Sequence, residues 1–162
     1  MLVARAQLDF VRTLVARFAR EDSVMQPVID YQAQYVAIVA MLRSIGHVFD
    51  KVDSRLAGRT DWSRDRWKVW KQDPIFADFI EPTREALLKE FQGGLELRGD
   101  AFGAPAVVVD VTAPGGTSLL VSFEPTKALD VRGRPVLPLF RAAMTFWDRC
   151  LSEAEAEFST AS

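Results

Sequence analysis

The stretch 28–49, VIDYQAQYVAIVAMLRSIGHVF, decides the fold. Val28, Tyr31, Tyr35, Ile38, Leu42, Ile45 and Phe49 recur at alternating three- and four-residue steps. That spacing holds one face of a helix apolar over about six turns. The opposite side is not uniformly polar, because Ala33, Val36, Ala37 and Ala40 lie there. A helix apolar on two sides is expected to be central, with neighbours against both. Pro27 stands at its start, where a missing N–H costs least.

Working outward, the same spacing returns at both ends of the chain. Leu8, Val11, Leu14, Val15 and Phe18 form one stripe near the N-terminus, and Leu137, Phe140, Met144, Trp147 and Leu151 form another near the C-terminus. The first stripe fits a bundle helix better than a helix lying on a membrane surface. Arginines interrupt it too often for the apolar core of a signal peptide. No run of about 18 apolar residues exists to span a bilayer. We therefore expect a cytoplasmic protein with no membrane partner.

Residues 52–61 read as a loop, followed by a short helix in WSRDRWKVWKQ. Asp73 and Pro74 mark a new start. PIFADFIEPTREALLKEFQGG continues as a helix that Pro82 should kink or split near Ile80–Glu81, with Gly93 and Gly94 as its stop. The period then changes. AVVVDVT (106–112) and TSLLVSFE (117–124) are β-branched runs separated by APGG, which predicts a hairpin. LELRGD (95–100) is a candidate third strand, and 125–135 reads as a loop. The expectation is a mainly α, single-domain chain over 1–162. It is an up-down bundle of about four helices, one kinked, with an inserted β-hairpin at about 95–124.

Composition narrows the function classes. The 162 residues carry a net charge of −2, so no overall field draws the chain to nucleic acid or membrane. With 15 Arg, 5 Lys and no Asn, the usage resembles a GC-rich bacterial coding bias. Cys150 is the one cysteine, so no internal disulfide forms, and we read it as a packing residue in a reducing compartment. Phosphate-cradling glycine loops, GxSxG, HExxH and Cys/His spacings are absent from the sequence. With one His and one Cys, we expect no metal site and no cofactor.

Two constellations remain. Arg43 and the only histidine, His47, are four residues apart on one side of the long helix. Partial enclosure would oblige them to find partners. A general acid/base His beside an anion-holding Arg is the catalytic option, and a polar network tying two helices together is the structural one. Arg84 lies on the face of Leu87, Leu88 and Phe91 and should pair with Glu81 or Glu85. If the two helices pack, Arg43, His47, Glu81, Arg84 and Glu85 are expected to converge. Separately, residues 54–71 hold six Arg or Lys against two Asp, with Trp62, Trp67 and Trp70 interleaved. Arg64, Arg66, Trp67, Lys68 and Lys71 are candidate nucleic-acid contacts if the tryptophans are exposed. Core tryptophans beneath a solvated charged face are the favoured reading, since Trp67 and Trp70 are three residues apart, as core packing wants.

DPIFADFIEP followed by TREALLKEF, after the long helix, resembles the final-helix signature region of HEPN-type four-helix bundles. That resemblance implies a dimeric, metal-independent ribonuclease, or an inactive relative, of toxin–antitoxin or phage-defence systems. Arg84 matches the family arginine and Glu85 its polar position, while Lys89 stands where the family has a histidine. A lysine of ordinary pKa is protonated at pH 7 and cannot serve as the base. His47 would have to supply that function from another helix. The preferred expectation is a non-catalytic bundle acting by association as a homodimer. A degenerate HEPN-like ribonuclease using His47, Arg84 and Arg43 is the first alternative, and an RNA- or DNA-binding module at 55–71 the second.

Overall fold

The computed structural model describes residues 1–21, 28–89, 96–98, 106–113, 116–122, 127–130 and 132–160. The chain is mainly α. Helix α1 (Val3–Glu21) packs along α2 (Val28–Val48), and both pack against α6 (Val136–Ser159). From the α2 stripe Tyr31, Tyr35, Ile38, Leu42, Ile45 and Phe49 are buried, and they meet Leu8, Val11, Val15 and Phe18 of α1 and Phe140, Trp147 and Leu151 of α6. The side chain of Val28, together with Pro27, Gly93 and Gly94, lies outside the described residues. Each fully buried large side chain contributes roughly 1.5–3 kcal/mol. Edge-to-face contacts of Phe18 with Tyr31 and Phe140, at centroid distances of 5.8 and 5.7 Å, join the three helices.

The second apolar side of α2 is covered only in part. Val36 and Ala40 are half-buried, but Ala33 and Ala37 face solvent. The helix nevertheless has several neighbours, among them α1, α6 and the segment 76–88. Small Ala side chains expose little area, so the exposure carries a modest cost.

The expected loop at 52–61 is mostly helical. The chain leaves α2 through a π-turn, Phe49–Asp53, and re-enters as α3 (Ser54–Leu56). The Ser54 N–H donates to the Phe49 carbonyl and its hydroxyl donates to Asp50 O at 2.7 Å. Only 57–59 then turn, with Gly58 at φ +64°, before α4 (Thr60–Trp70). The extra residue of the π-turn brings Asp53 inward, where its carboxylate accepts the N–H groups of Val3 and Ala4 at 2.8 and 2.9 Å. The first N–H groups of a helix lack intrahelical partners. Here an acid some 50 residues away satisfies two of them, a contact no local sequence pattern announces.

Pro82 acts as expected, with a different outcome from a sharp kink. A second π-turn, Phe76–Ile80, precedes α5 (Glu81–Leu88), and the Glu81 N–H donates to Phe76 O. Proline removes the bond that Asp78 O would accept four residues back. Arg132 of the distant loop reaches that carbonyl at 3.5 Å, the long end of hydrogen bonding. Asp73 opens this segment: its carboxylate accepts the Ile75 N–H at 3.0 Å and an Arg149 N–H at 2.5 Å.

Of the segment 95–124 expected as an inserted hairpin, three pieces belong to the described residues. Strand β1 (Glu96–Arg98) pairs antiparallel with β4 (Lys127–Leu129), in register Glu96 to Leu129. It is therefore not a third strand beside the hairpin, and 127–129 is strand rather than loop. Strands β2 (Ala106–Ala113) and β3 (Gly116–Ser122) pair antiparallel with Val108 opposite Leu120. Their turn, their flanks and their side chains lie outside the described residues. Ala128 and Leu129 of β4 are buried, and β4 packs on α6.

Candidate functional site: a cation-lined groove between α2 and α4

Trp67 forms the aromatic floor of the site. Trp67 stacks on Trp147 at 6.1 Å with an 18° interplanar angle, and Trp70 packs on Phe49 at 5.3 Å. Trp70 is buried and its indole N–H donates to Glu153 at 3.0 Å. Trp62 lies edge-on to Trp70 and Phe158 at 6.1 and 5.7 Å. The three tryptophans of 62–70 are therefore turned toward the hydrophobic core, the alternative weighed against an exposed stacking surface. Gly46 permits this approach: a Cβ there would stand 2.5 Å from Trp67 and 2.6 Å from Trp147.

Above that floor is a cavity of about 410 Å³, lined by Arg43, His47, Asp50, Lys51, Arg55, Thr60, Arg64 and Trp67. Arg43, His47, Lys51 and Arg55 recur every four residues through α2, the π-turn and α3. At 1.5 Å rise per residue the row is about 18 Å long. A plain α-helix would rotate such a row steadily around its axis, by about 40° per step. Insertion of the π-turn midway changes that rotation, and all four residues line one cavity.

The cations differ in what already holds them. Arg43 is ion-paired through Nε to Glu81 and lies over the rings of Trp67 and Phe76, at 5.3 and 5.6 Å from their centroids. Lys51 pairs with Asp50 at 2.7 Å and Arg64 with Asp61 at 2.9 Å. Asp61 is 91% exposed, so the latter pair is weak. No hydrogen bond or ion pair joins His47 or Arg55 to another described residue, and both are exposed. Thr60 opens α4 on the facing wall, and the first N–H groups of that helix lack intrahelical acceptors.

The five residues expected to converge form no single bonded cluster. Arg43 and Glu81 meet. Glu85 pairs instead with Lys89, whose hydrogen bond holds the exposed Glu85 carboxyl below the usual range, with smaller help from Arg84 and Arg43. Arg84 is half-buried with no hydrogen bond or ion pair to another described residue, and neither it nor Glu85 lines the cavity that His47 faces. His47 is exposed rather than enclosed. Of the basic residues singled out at 64–71, Arg64 lines the groove, Arg66 pairs with Glu153, Lys68 pairs with Asp65 at 2.7 Å, and Lys71 is exposed. The residues missed were Lys51, Arg55, Asp50 and Thr60. The four-residue rhythm begun by Arg43 and His47 would have found the first two, had the helix been carried past Phe49.

Burial pushes the Cys150 thiol up to about 12, with Arg149 opposing, so the side chain is a protonated packing group at neutral pH. Among the described residues no group of three or more His, Cys, Asp or Glu is placed to hold a metal ion, and no helix is long and apolar enough to cross a membrane. No protein-family model, curated protein or solved structure matches this chain.

Proposed function

We propose that this chain is a non-catalytic binding protein whose α2–α4 groove holds an anionic ligand. The observation that carries the proposal is the convergence of Arg43, His47, Lys51, Arg55 and Arg64 on one cavity of about 410 Å³. That size is in the range of small-molecule sites, roughly 300–1,000 Å³. Cations in a recess with low-dielectric walls concentrate anions more strongly than scattered surface charges do. No hydrogen bond joins His47 to another described residue, so nothing there fixes its tautomer as a partner ordinarily does for a general base. Inorganic pyrophosphate should raise the melting temperature of the protein, and the gain should vanish in the double variant Arg55→Ala/Arg64→Ala. An unchanged gain in that variant removes the proposal. RNA cleavage in EDTA that His47→Ala abolishes would replace it with the ribonuclease alternative.

Association of two copies is the second reading. It is supported by Phe10 and Ile29, which are 53% and 67% exposed on the outer side of α1 and α2. Light scattering at micromolar concentration should give twice the chain mass of 18.1 kDa; a monomer there ends it.

A further inference from the structure

We propose that the groove takes a small phosphorylated polyhydroxyl compound, of the sugar-phosphate class, rather than a nucleic-acid strand. This rests on the groove being an anion site, and three features choose among anions. First, the cations do not form a uniform track. Arg43, Lys51 and Arg64 each have an internal carboxylate partner, whereas Arg55 and His47 have none among the described residues. The uncompensated guanidinium is that of Arg55 alone, beside the turn that joins α3 to α4, and it suits one phosphate group.

Second, Asp50 belongs to the lining. A carboxylate within the groove repels a continuous run of phosphates. It spends one interaction on Lys51, at 2.7 Å, and retains further lone pairs. Hydroxyl donors on the ligand body would satisfy them, and the Thr60 hydroxyl on the facing wall adds a neutral partner. Third, the groove offers no aromatic platform for bases. Single-strand binders combine phosphate contacts with stacking on exposed rings. Trp67 already stacks on Trp147 and has the Arg43 guanidinium 5.3 Å from its centroid. The phosphate then lies between Arg55 and Arg64, and the hydroxyl-bearing body extends toward Asp50 and His47.

Calorimetric titration of the full chain at about 0.15 M salt, near physiological ionic strength, tests this. The probes are glucose 6-phosphate, glucose, inorganic phosphate and a short oligouridylate. Glucose 6-phosphate should bind at least about tenfold more tightly than inorganic phosphate, and glucose should not bind. Asp50→Asn should remove that tenfold advantage while leaving phosphate affinity in place, a split that a merely structural role would not produce. Arg55→Ala, and separately Arg64→Ala, should weaken both phosphate probes. Equal affinity for phosphate and its sugar ester overturns the inference, as does tighter, steeply salt-dependent binding of the oligouridylate; either leaves the anion groove standing. Failure of all four probes, with no thermal shift from pyrophosphate, removes the groove itself.

Discussion

At the scale of single residues, Gly46 decides whether the groove has a floor. Alanine is the better helix former by about 1 kcal/mol. Its Cβ would nevertheless fall 2.5–2.6 Å from two stacked indoles, one of them fully buried. Overpacking of this kind costs about 1–3 kcal/mol and outweighs the propensity gain. Gly46→Ala should therefore lower the urea midpoint and shift the tryptophan emission, and a variant as stable as the parent would show that Trp67 and Trp147 can move aside. The same residue bears on the two readings of 62–70, of which the favoured one, core tryptophans, is what the structure has. Interleaved Trp and Arg look alike on an exposed stacking face and on a half-buried helix. Only the glycine on the facing helix, which admits the rings, separates the two cases.

At the scale of elements, the two π-turns do most of the positioning. The first places Asp53 under the start of α1, and the carboxylate replaces a local cap that Met1 and Leu2 cannot provide. Loss of a helix cap costs about 0.5–2 kcal/mol, with a further penalty for orphaned buried N–H groups. Asp53→Ala should thus destabilise by about 2 kcal/mol and raise hydrogen exchange in the first turn of α1. Asp53→Asn, which keeps one carbonyl acceptor, should cost less; equal losses would mean that the acceptor geometry is not what holds α1. This turn also keeps Lys51 and Arg55 on the groove side. The break between α2 and α4 was legible from residue types, but its length was not. The helix continues to Leu56 because its irregular turn is satisfied by Ser54 and by a helix distant in sequence.

At the scale of the whole molecule, carboxylates tie the elements together and set the acid limit of stability. Asp130 is 2% exposed. Burial alone would raise its pKa, but the Arg134 side chain at 2.8 Å and the N–H groups of Arg134 and Arg132 hold it below the usual carboxylate range. Hydrogen bonds from Arg12, against a smaller opposing effect of burial, lower Asp148, which also accepts from Arg5 at 2.6 Å and so links α1 to α6. Groups with depressed folded pKa values stabilise fully above their unfolded values, near pH 4, and lose that contribution as pH falls through the folded values. Melting temperature should hold through neutral pH and decline below about pH 4. Asp130→Asn should flatten that decline while lowering stability at pH 7 by about 1.5–3 kcal/mol, the range for a hydrogen bond to a charged group. An unchanged acid profile in the variant would exclude Asp130 as a contributor.

The amino-acid sequence by itself determined the helical class and the buried faces of α1, α2 and α6. Those follow from the 3.6-residue period, which any amphipathic helix must obey wherever it docks. It also placed Pro82 in the first turn of a helix, since a missing N–H acts locally. Tertiary structure alone decided that Arg43 pairs with Glu81, that Arg84 is not among the residues lining the cavity with His47, and that β1 joins β4. It decided too that one π-turn both caps α1 and gathers Arg43, His47, Lys51 and Arg55 on a groove. Those outcomes depend on which surfaces meet across long sequence separations, and the distance between two side chains after folding is written in no local pattern.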